Sequence, residues 1–354
     1  MRVCYFGTYN KDYPRNQVIR KGLKLNGVEV IECRVDYSRV LSRHLKLIIK
    51  FLREVKNYDA IIVGETGYIN VPLARFLTLF SKKPVILDGF FSWYDTLVFD
   101  RKRVKRDSFK AKKLHFEDKY GCRLANTVLL DTNEHIKYFK EEFGLEEVKF
   151  KRVFVGADDS IFYPRKKNKL NNNLLILFYG TYIPLHGIEY IVKTAKLLKT
   201  YNDIRFKIIG EGETSKEVQE LYSQMNINNI SFLSSIDLQK LIEFIADADI
   251  LLGIFGDTPK AKRVIPHKVY QALAMQKPVI TGDSLAAREI FKDRKNAILC
   301  EMANPEDLAK KILLLKEDKA LREKIAKGGY ELFKQKFTPE IIGKEIKEII
   351  LNRA

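Results

Sequence analysis

The chain contains 354 residues, of which 46% are hydrophobic and 31% are charged, and it carries a formal net charge of +18 at pH 7. These proportions are typical of a folded globular protein and exclude a disordered chain. No run of about 18 apolar residues occurs, so the sequence predicts no membrane-spanning helix. The positive charge favours anionic partners, namely nucleic acid, an acidic membrane surface or phosphorylated ligands.

The first residues and the cysteines indicate the cellular compartment. The start of the chain, MRVCYFGTYN, has the pattern of a buried strand and lacks the apolar core of a secretory signal. The four cysteines (Cys4, Cys33, Cys122 and Cys300) are scattered without CxxC pairing. This distribution suits reduced thiols, so we expect a cytoplasmic protein without a cysteine-based metal site.

The first half of the chain alternates between short apolar runs and longer amphipathic segments. The runs RVCYFG, VEVIECRV, DAIIVGE, PVILDG and NTVLLDT predict strands. Helices are predicted between them, including one closed by Gly27, one capped by Ser38, and two over residues 108–122 and 133–143. The aromatic and basic stretch FFSWYDTLVFDRKRVKRD shows no period and is predicted to be irregular. Strands separated by helices predict a parallel sheet with right-handed crossovers.

A second unit of the same kind follows a boundary near residues 156–173, where Gly, Pro, Lys and Asn cluster. Strands such as NLLILFYG, IRFKIIG, DILLGIF and PVITGD alternate with helices, including 215–225 and 285–291, and two long helices follow residue 305. We therefore predict an α/β fold of two Rossmann-like, doubly wound parallel-sheet domains, 1–157 and 158–338. A C-terminal helix in 339–354 is expected to pack back on the first domain. Ligands of such sheets bind at the carboxyl ends of the strands, which places the expected site in a cleft between the domains.

The stretch FYGTYIPLHGIEY is the first candidate ligand site. It predicts a buried strand ending at Gly180, a loop through Thr181, and a helix that opens at His186 and Gly187. Glycines allow a ligand to approach the backbone closely, and the free N–H groups of a helix start bind phosphate. The spacing is neither GxGxxG nor a Walker lysine loop, and an ordinary strand–helix turn has the same pattern.

The stretch PHKVYQALAMQKPVITGD is the second candidate. A short helix starts behind Pro266 and His267, and Lys262, Arg263 and Lys268 surround its first turn. Two cations and a helix dipole can hold a diphosphate. A solvated basic loop before a packing helix is the alternative. Because both stretches are strand-to-helix junctions of the same half, we expect them to form one nucleotide-diphosphate pocket.

Candidate residues of the first domain also follow strands. Asp88 ends the run PVILDG and is a candidate to orient an acceptor hydroxyl, or to cap a turn before Gly89. Gly7 and Thr8 end the first strand, where glycine permits close approach to a ligand. Asp95 is a weaker candidate for the same acceptor side.

Metal ligands are not expected. Asp247-Ala248-Asp249 spells DxD, a metal–nucleotide signature in another fold, but it closes a predicted helix and enters a buried strand, which favours a capping and turn role. The five histidines lack a ligand spacing such as HExxH.

The segment 38–57 combines basic residues with an apolar set at three- to four-residue steps, which predicts an amphipathic helix. One interpretation is a helix that packs on its sheet and keeps a solvated basic face. The other is docking on an anionic membrane, aided by Phe90, Phe91, Trp93 and Tyr94 and by the run RKRVKRD.

Motifs in a fixed order resemble those of the family-4 retaining glycosyltransferases of the GT-B superfamily, also named glycosyl transferases group 1. FVGADDSIFYP is similar to the interdomain segment of that family, and FYGTYIPLHGIEYIVKTAKLL to its glycine-loop segment. FKIIGEGE, ADADILLGIF, KVYQALAMQKPVIT, REIF and NPEDLAKKI follow in the family's order, so the resemblance covers essentially the whole chain. It implies two domains facing across a cleft, the first for the acceptor and the second for a nucleotide sugar.

Four positions depart from the family's pattern. Where the family has two glutamates eight positions apart, this chain has Arg263 and Gln271. Gln271 keeps an acceptor oxygen that can serve the donor ribose, and Arg263 supplies a cation for the diphosphate. Thr181 and His186 replace the usual Arg and Lys of the glycine-loop segment.

The resemblance implies metal-independent, retaining transfer of a hexose-type sugar from a UDP-, GDP- or ADP-sugar to a glycan or lipid-linked acceptor, in the synthesis of cell-surface polysaccharide or glycolipid. It implies no cofactor, and the leaving phosphate is expected to receive the proton of the acceptor. The expected donor-binding residues are Gly180, Thr181, His186, Gly187, Arg263, His267, Lys268 and Gln271.

Two other functions fit parts of the sequence. A GT-B-type sugar-nucleotide epimerase would consume a nucleotide sugar without an acceptor. A non-enzymatic protein that binds nucleic acid or an anionic surface would account for the charge alone. The sequence contains no recognised nucleic-acid-binding module, so nucleic acid is not an expected partner, whereas association with the inner face of the membrane is.

Overall fold

The structure is a computed structural model that describes residues 1–36, 39–167 and 173–352. The chain divides into two compact units. Unit 1 comprises Met1–Asp158 and Phe337–Ala354, and unit 2 comprises Asp159–Lys336. Each unit is built on its own parallel sheet of six strands.

The sheet of unit 1 has the strand order β2-β1-β3-β4-β5-β6, and each neighbouring pair is parallel. Its strands are β1 (Arg2–Gly7), β2 (Glu29–Arg34), β3 (Ala60–Val63), β4 (Val85–Asp88), β5 (Thr127–Leu130) and β6 (Phe150–Arg152). Strands β3, β4 and β5 are buried along their whole length, as their continuous apolar runs predict for central strands of a parallel sheet.

The helices of unit 1 are α1 (Pro14–Leu25), α2 (Val40–Glu54), α3 (Val71–Leu77), α4 (Phe109–Leu124), α5 (Asn133–Phe143) and α13 (Pro339–Leu351). Side chains of α2 to α5 pack with the strands in one hydrophobic core. Helix α13 lies against α1, and the helices meet at Gly22 and Gly343, where a Cβ on Gly343 would come within 2.1 Å of the Gly22 carbonyl oxygen. Glycine is thus required at this crossing because the two backbones touch.

The sheet of unit 2 has the order β12-β11-β10-β7-β8-β9 and is also parallel throughout. Its strands are β7 (Leu174–Tyr179), β8 (Ile204–Ile209), β9 (Ile230–Leu233), β10 (Ile250–Leu252), β11 (Val279–Gly282) and β12 (Ile298–Cys300). Its helices are α6 (Ile188–Leu197), α7 (Ser215–Ser223), α8 (Leu238–Asp247), α9 (His267–Ala274), α10 (Leu285–Arg288), α11 (Pro305–Glu317) and α12 (Lys319–Lys336).

The direction in which strands are added reverses once in each sheet, and ligands of open α/β sheets bind outside the strand ends at this point. In unit 1 the reversal lies between β1 and β3, and in unit 2 between β7 and β10. We call the loops that follow β1 and β3 the unit 1 switch point, and the loops that follow β7 and β10 the unit 2 switch point.

The prediction of two doubly wound parallel sheets is confirmed. Two local predictions differ from the structure. Residues Asp95–Asp100, predicted to be irregular, form a π-helical turn, and the helix predicted over 285–291 ends at Arg288. The two long helices predicted after residue 305 are α11 and α12, and the C-terminal helix predicted in 339–354 is α13. The predicted Ser38 cap and part of the predicted 156–173 boundary lie outside the described residues.

Candidate functional site

The unit 2 switch point is lined by glycines whose conformation and surroundings exclude a side chain. Gly180, directly after β7, has φ +141°, and Gly210, directly after β8, has φ +132°. A Cβ on Gly210 would lie 2.1 Å from the Gly180 carbonyl oxygen. The two strand ends therefore meet backbone to backbone, which leaves peptide groups rather than side chains at this place.

The loop after Gly180 is fixed by His186 and Gly187. The His186 ring donates from Nδ1 to the Thr181 carbonyl oxygen at 2.5 Å, since a carbonyl can only accept. Gly187 has φ +64°, and a Cβ there would lie 2.4 Å from the Gly256 backbone nitrogen. Helix α6 begins at the next residue, so its N-terminus is held against the loop that follows β10.

Lys268, in the first turn of α9, points its ammonium at Gly180. A Cβ on Gly180 would lie 3.0 Å from Lys268 Nζ and 3.4 Å from the His186 ring. The side chain is only 6% exposed, and Nζ lies 3.7 Å from the centroid of the Phe178 ring. Among the described residues Nζ has no hydrogen-bond partner.

Burial lowers the pKa of Lys268 well below its ordinary value, because the charged form loses its hydration. An unpaired buried ammonium is costly, and an anion beside it would restore the charged form. The unit 2 switch point therefore has a buried amino group that lacks a counter-charge among the described residues, and an anion there would favour its charged form.

Gln271 follows one turn later on α9 and is held by the end of β7. The Tyr179 hydroxyl donates to Gln271 Oε1 at 2.9 Å, and Tyr179 and Gln271 are both buried. One lone pair of Oε1 is thereby used, and the amide group is oriented by the protein before any ligand binds.

The structure thus brings together Gly180, Thr181, His186, Gly187, Lys268 and Gln271 of the predicted donor-binding residues. Arg263 and His267 are half-buried and lie just before and at the start of α9. Sequence reasoning missed Phe178, which contacts the ammonium, and Tyr179, which orients the glutamine.

A cavity of about 810 Å³ lies at the ends of β10, β11 and β12 in the same unit. Its charged lining consists of Asp257, Lys262, Asp283, Arg288, Asp293, Glu301, Asp307 and Lys311. Lys262 is paired with Asp257 at 3.0 Å, and Arg288 is paired with Asp283 at 2.6 Å. Because its carboxylates outnumber its cations and two of those cations are paired, this cavity is a poorer place for a diphosphate than Lys268.

The unit 1 switch point contains the predicted residues Gly7 and Thr8. Gly7 has φ +124°, and a Cβ there would lie 3.1 Å from Asn70 Nδ2. Asn70 Nδ2 donates to Thr8 Oγ1 at 3.2 Å, which fixes the threonine hydroxyl. The end of β1 is therefore positioned by the residue that precedes α3.

Glu65, just after β3, is a half-buried carboxyl that sequence reasoning missed. Its Oε2 accepts from Asn16 Nδ2, and Asn16 Oδ1 in turn accepts from the Tyr5 hydroxyl at 2.7 Å. Burial raises the pKa of Glu65 to about 7, against the hydrogen bond from Asn16, which lowers it. The sequence Gly64-Glu65-Thr66, which directly follows a buried strand, could have indicated this carboxyl as a site residue.

Asp88 lies fully buried at the end of β4 and faces Arg15 of α1. Arg15 Nε donates to both carboxylate oxygens, at 2.8 and 2.9 Å, and Arg15 Nη1 donates to the Val153 carbonyl oxygen at 3.1 Å. Burial raises the pKa of Asp88, and the guanidinium opposes that shift. The carboxylate is therefore occupied by an internal ion pair.

Asp95 is also fully buried, in the π-helical turn that follows Ser92. The same turn is tied to α4 by Asp118, which accepts from Ser92 Oγ at 2.6 Å and from the Tyr94 backbone nitrogen at 2.9 Å. In the described conformation neither Asp88 nor Asp95 presents its carboxylate to a ligand.

Asp249 of the DxD sequence has a structural role. Its side chain accepts from the Leu175 backbone nitrogen at 2.8 Å and pairs with Lys167. Within residues 1–36, 39–167 and 173–352, no group of three or more His, Cys, Asp or Glu side chains is placed to hold a metal ion. In the same part of the chain, no helix is long and apolar enough to cross a membrane.

Residues 159–332 match the family model described as "Glycosyl transferases group 1". Unit 2 is a group 1 glycosyltransferase domain. The resemblance recognised from the ordered motifs is confirmed for this family, whereas the family-4 retaining subtype stays a prediction.

Curated relatives of this glycosyltransferase domain are distant. An uncharacterised glycosyltransferase of Methanocaldococcus jannaschii is 27% identical over 206 residues, which is 58% of this chain and 54% of that protein. The capsular polysaccharide biosynthesis glycosyltransferase CapM of Staphylococcus aureus is 25% identical over 187 residues, or 51% of this chain and 46% of CapM. The chain thus spans about half the length of these relatives.

Solved structures match over the full length of the chain. Anabaena HepE, crystallised with UDP, has a TM-score of 0.73 at 15% identity, covering 99% of this chain and 100% of that one. Sucrose-phosphate synthase from Thermosynechococcus elongatus has a TM-score of 0.75 at 13% identity, covering 99% and 98%. These similarities show the fold, and the prediction of the GT-B architecture with two Rossmann-like domains is confirmed.

Proposed function

We propose that this protein is a retaining glycosyltransferase that moves a hexose-type sugar from a nucleotide-diphosphate sugar to a glycan or lipid-linked acceptor. The observation that supports this most strongly is Lys268, whose buried amino group lies beside the backbone of Gly180 and has neither a hydrogen-bond partner nor a counter-charge in the part of the chain that the structure describes. A diphosphate supplies that charge, and its oxygens accept hydrogen bonds from the ammonium and from free N–H groups at the starts of α6 and α9.

In this proposal unit 2 binds the nucleotide sugar. Lys268, assisted by Arg263 and His267, stabilises the negative charge that develops on the leaving diphosphate, a task that a divalent cation performs in metal-dependent enzymes. Gln271, oriented by Tyr179, hydrogen-bonds the ribose. Gly180, Thr181, His186 and Gly187 let the phosphates approach the main chain.

Unit 1 binds the acceptor in this proposal, at the ends of β1 and β3. Gly7 allows close approach, and Thr8 and Glu65 offer polar side chains for an acceptor hydroxyl. We assign Asp88 and Asp95 indirect roles, since Asp88 is paired with Arg15 and both carboxylates are buried. Asp88 fixes the end of β4, and Asp95 belongs to the turn that follows it.

The relatives support the donor class and the biological setting. HepE has been solved with UDP and with UDP-glucose. CapM acts in capsular polysaccharide biosynthesis, and a Campylobacter jejuni relative, 24% identical over 209 residues (56% of this chain and 53% of that protein), is a diphospho-undecaprenol N-acetylgalactosaminyltransferase. We therefore propose a UDP-sugar as the first donor to test and cell-surface polysaccharide or glycolipid synthesis in the cytoplasm as the setting.

Calorimetry of the purified protein with UDP, GDP and ADP tests the proposal. We expect one nucleotide to bind with a measurable heat, and its sugar conjugates to be consumed only when an acceptor is added. Binding of none of the three would contradict the proposal, and conversion of a nucleotide sugar without an acceptor would favour an epimerase instead.

A further inference from the structure

Helix α2 of unit 1 has two opposite apolar faces, although a helix on the surface of a sheet needs only one. The face toward the sheet buries Leu47 and Phe51. Besides Val40 at the start of the helix, four large apolar residues of α2, Leu41, Leu45, Ile49 and Leu52, are exposed. With about 100° of rotation per residue these four form a stripe on the side of the helix opposite Leu47 and Phe51.

Further apolar surface lies at the end of α3 and in the residues just after it. Phe76, Leu79 and Phe80 are exposed, and Phe80 is the most open at 95%. The Tyr58 hydroxyl, just beyond α2, is 2.9 Å from Ser81 Oγ, so the end of α2 and the residues next to Phe80 adjoin. We call the exposed residues Leu41, Leu45, Ile49, Leu52, Phe76, Leu79 and Phe80 the apolar patch.

Positive charge borders the apolar patch. Residues 39–58 and 75–83 contain nine Lys and Arg residues and a single acidic residue, Glu54, which lies 3.7 Å from Lys50. On α2, Lys46 and Arg53 are exposed and lie between the outer apolar stripe and the face that packs on the sheet. A stripe of Leu and Phe beside a row of Lys and Arg is the arrangement of helices that lie in the interface of an anionic bilayer.

Of the four aromatic residues expected at a membrane from the sequence, Trp93 is exposed at 37%. Phe90 and Phe91 are half-buried and pack edge-on against each other, and Tyr94 is buried. The turn after β4 is tied to α4 through Asp118, and a role of these aromatic residues at a membrane stays a prediction.

We propose that the apolar patch docks unit 1 on the surface of an anionic lipid bilayer. Helix α2 lies in the plane of the interface, with its outer leucines below the headgroups and its lysines and arginines at the phosphates. The inference concerns a surface other than the nucleotide site, and it stands on exposure, helix geometry and charge.

Co-sedimentation with vesicles tests it. The full chain is mixed with vesicles of phosphatidylcholine containing roughly one third phosphatidylglycerol, and with vesicles of phosphatidylcholine alone. We expect binding to the first, at least about tenfold weaker binding to the second, and release from the first as salt is raised to roughly 0.5 M.

Variants separate this surface from general attraction to charge. Leu41→Gln and Phe80→Gln should each weaken vesicle binding by about tenfold or more, because each removes a large apolar side chain from the lipid. Leu25→Gln is the matched control: Leu25 is 56% exposed, but it lies at the end of α1, which packs on α13. It should bind vesicles like the wild type, and all three should keep the wild-type melting temperature and UDP affinity.

Two results would overturn the proposal. One is wild-type vesicle binding by Leu41→Gln and Phe80→Gln, since binding would then rest on charge alone. The other is a wild-type protein that ignores anionic vesicles but self-associates, with Leu41→Gln monomeric, which would make the patch a contact between copies of this chain.

Discussion

The two units use buried charge near their strand ends in opposite ways. At the unit 2 switch point, Lys268 is buried beside Gly180 without a hydrogen-bond partner among the described residues. On the corresponding side of the unit 1 sheet, Asp88 is buried at the end of β4, but both of its oxygens are held by Arg15. Each charge is costly to bury, and within the described residues that of Asp88 is compensated whereas that of Lys268 is not.

The difference separates groups that hold the fold from groups that await a ligand. Removing one member of a buried ion pair destabilises the fold, because the other charge is left buried without a partner. Removing a buried charge that has no partner should not destabilise the fold, because its unfavourable burial is removed with it. Substitutions at the two places should therefore change stability and binding in opposite ways.

Asp88→Ala should have the largest effect on stability. It leaves the Arg15 guanidinium buried and unpaired, which costs about 3–5 kcal/mol. Urea denaturation measures the loss. The double variant Arg15→Met/Asp88→Leu is the control, because it removes both charges and should recover most of the stability. A single variant as stable as the wild type would show that the pair is not what fixes this end of the sheet.

Glu65→Gln should change the pH dependence of stability. The folded-state pKa of Glu65 is about 7, above its ordinary value of 4.5, so its contribution to stability is present below pH 4.5 and is lost as the pH rises toward 7. The variant keeps an oxygen for Asn16 but cannot ionise. Relative to the wild type it should gain up to a few kcal/mol between about pH 4.5 and pH 8, as measured by urea denaturation across that range. A constant difference between the two proteins would contradict the assignment.

Tyr179→Phe should have the smallest effect, about 0.5–1.5 kcal/mol of stability, because it removes the buried hydrogen bond to Gln271 and a longer one, of 3.3 Å, to the Lys268 carbonyl oxygen. If Gln271 meets the ribose, UDP affinity should fall severalfold while affinity for inorganic pyrophosphate stays unchanged. Tyr222→Phe is the control, since that hydroxyl bonds the Ile227 carbonyl oxygen elsewhere in unit 2. Equal losses of affinity for UDP and for pyrophosphate would show that Gln271 does not contact the nucleoside.

Much of the fold could be predicted from the sequence because its signals are local. Buried parallel strands read as apolar runs such as AIIV and VILD, and the capping Ser108 and Thr132 mark helix starts close to those predicted. The turn at Asp95–Asp100 could not be predicted, because its fixing partner, Asp118, is 24 residues away from Tyr94.

The location of the candidate site could be predicted from residues that follow the strands, but the contacts of those residues could not. Glycine and lysine residues after strands located Gly180 and Lys268. Whether a buried charge is paired depends on residues that are distant in the sequence. The fold shows that Asp88 is paired with Arg15, 73 residues away, and that Lys268 lies over the Phe178 ring. Likewise, the amphipathic pattern of α2 did not reveal which apolar residues remain open.

The central claim is that the buried Lys268 side chain binds the diphosphate of the donor. Calorimetry with UDP on two variants tests this claim most directly. Lys268 and Lys277 are equally buried, each 6% exposed, but Lys277 Nζ donates to the carbonyl oxygens of Ala246 and Ala248. Lys268→Met should lower UDP affinity by about 10- to 150-fold, the loss of a hydrogen bond to a charged group, without lowering the melting temperature. Lys277→Met should lose stability yet bind UDP like the wild type. Wild-type UDP affinity in Lys268→Met would contradict the account.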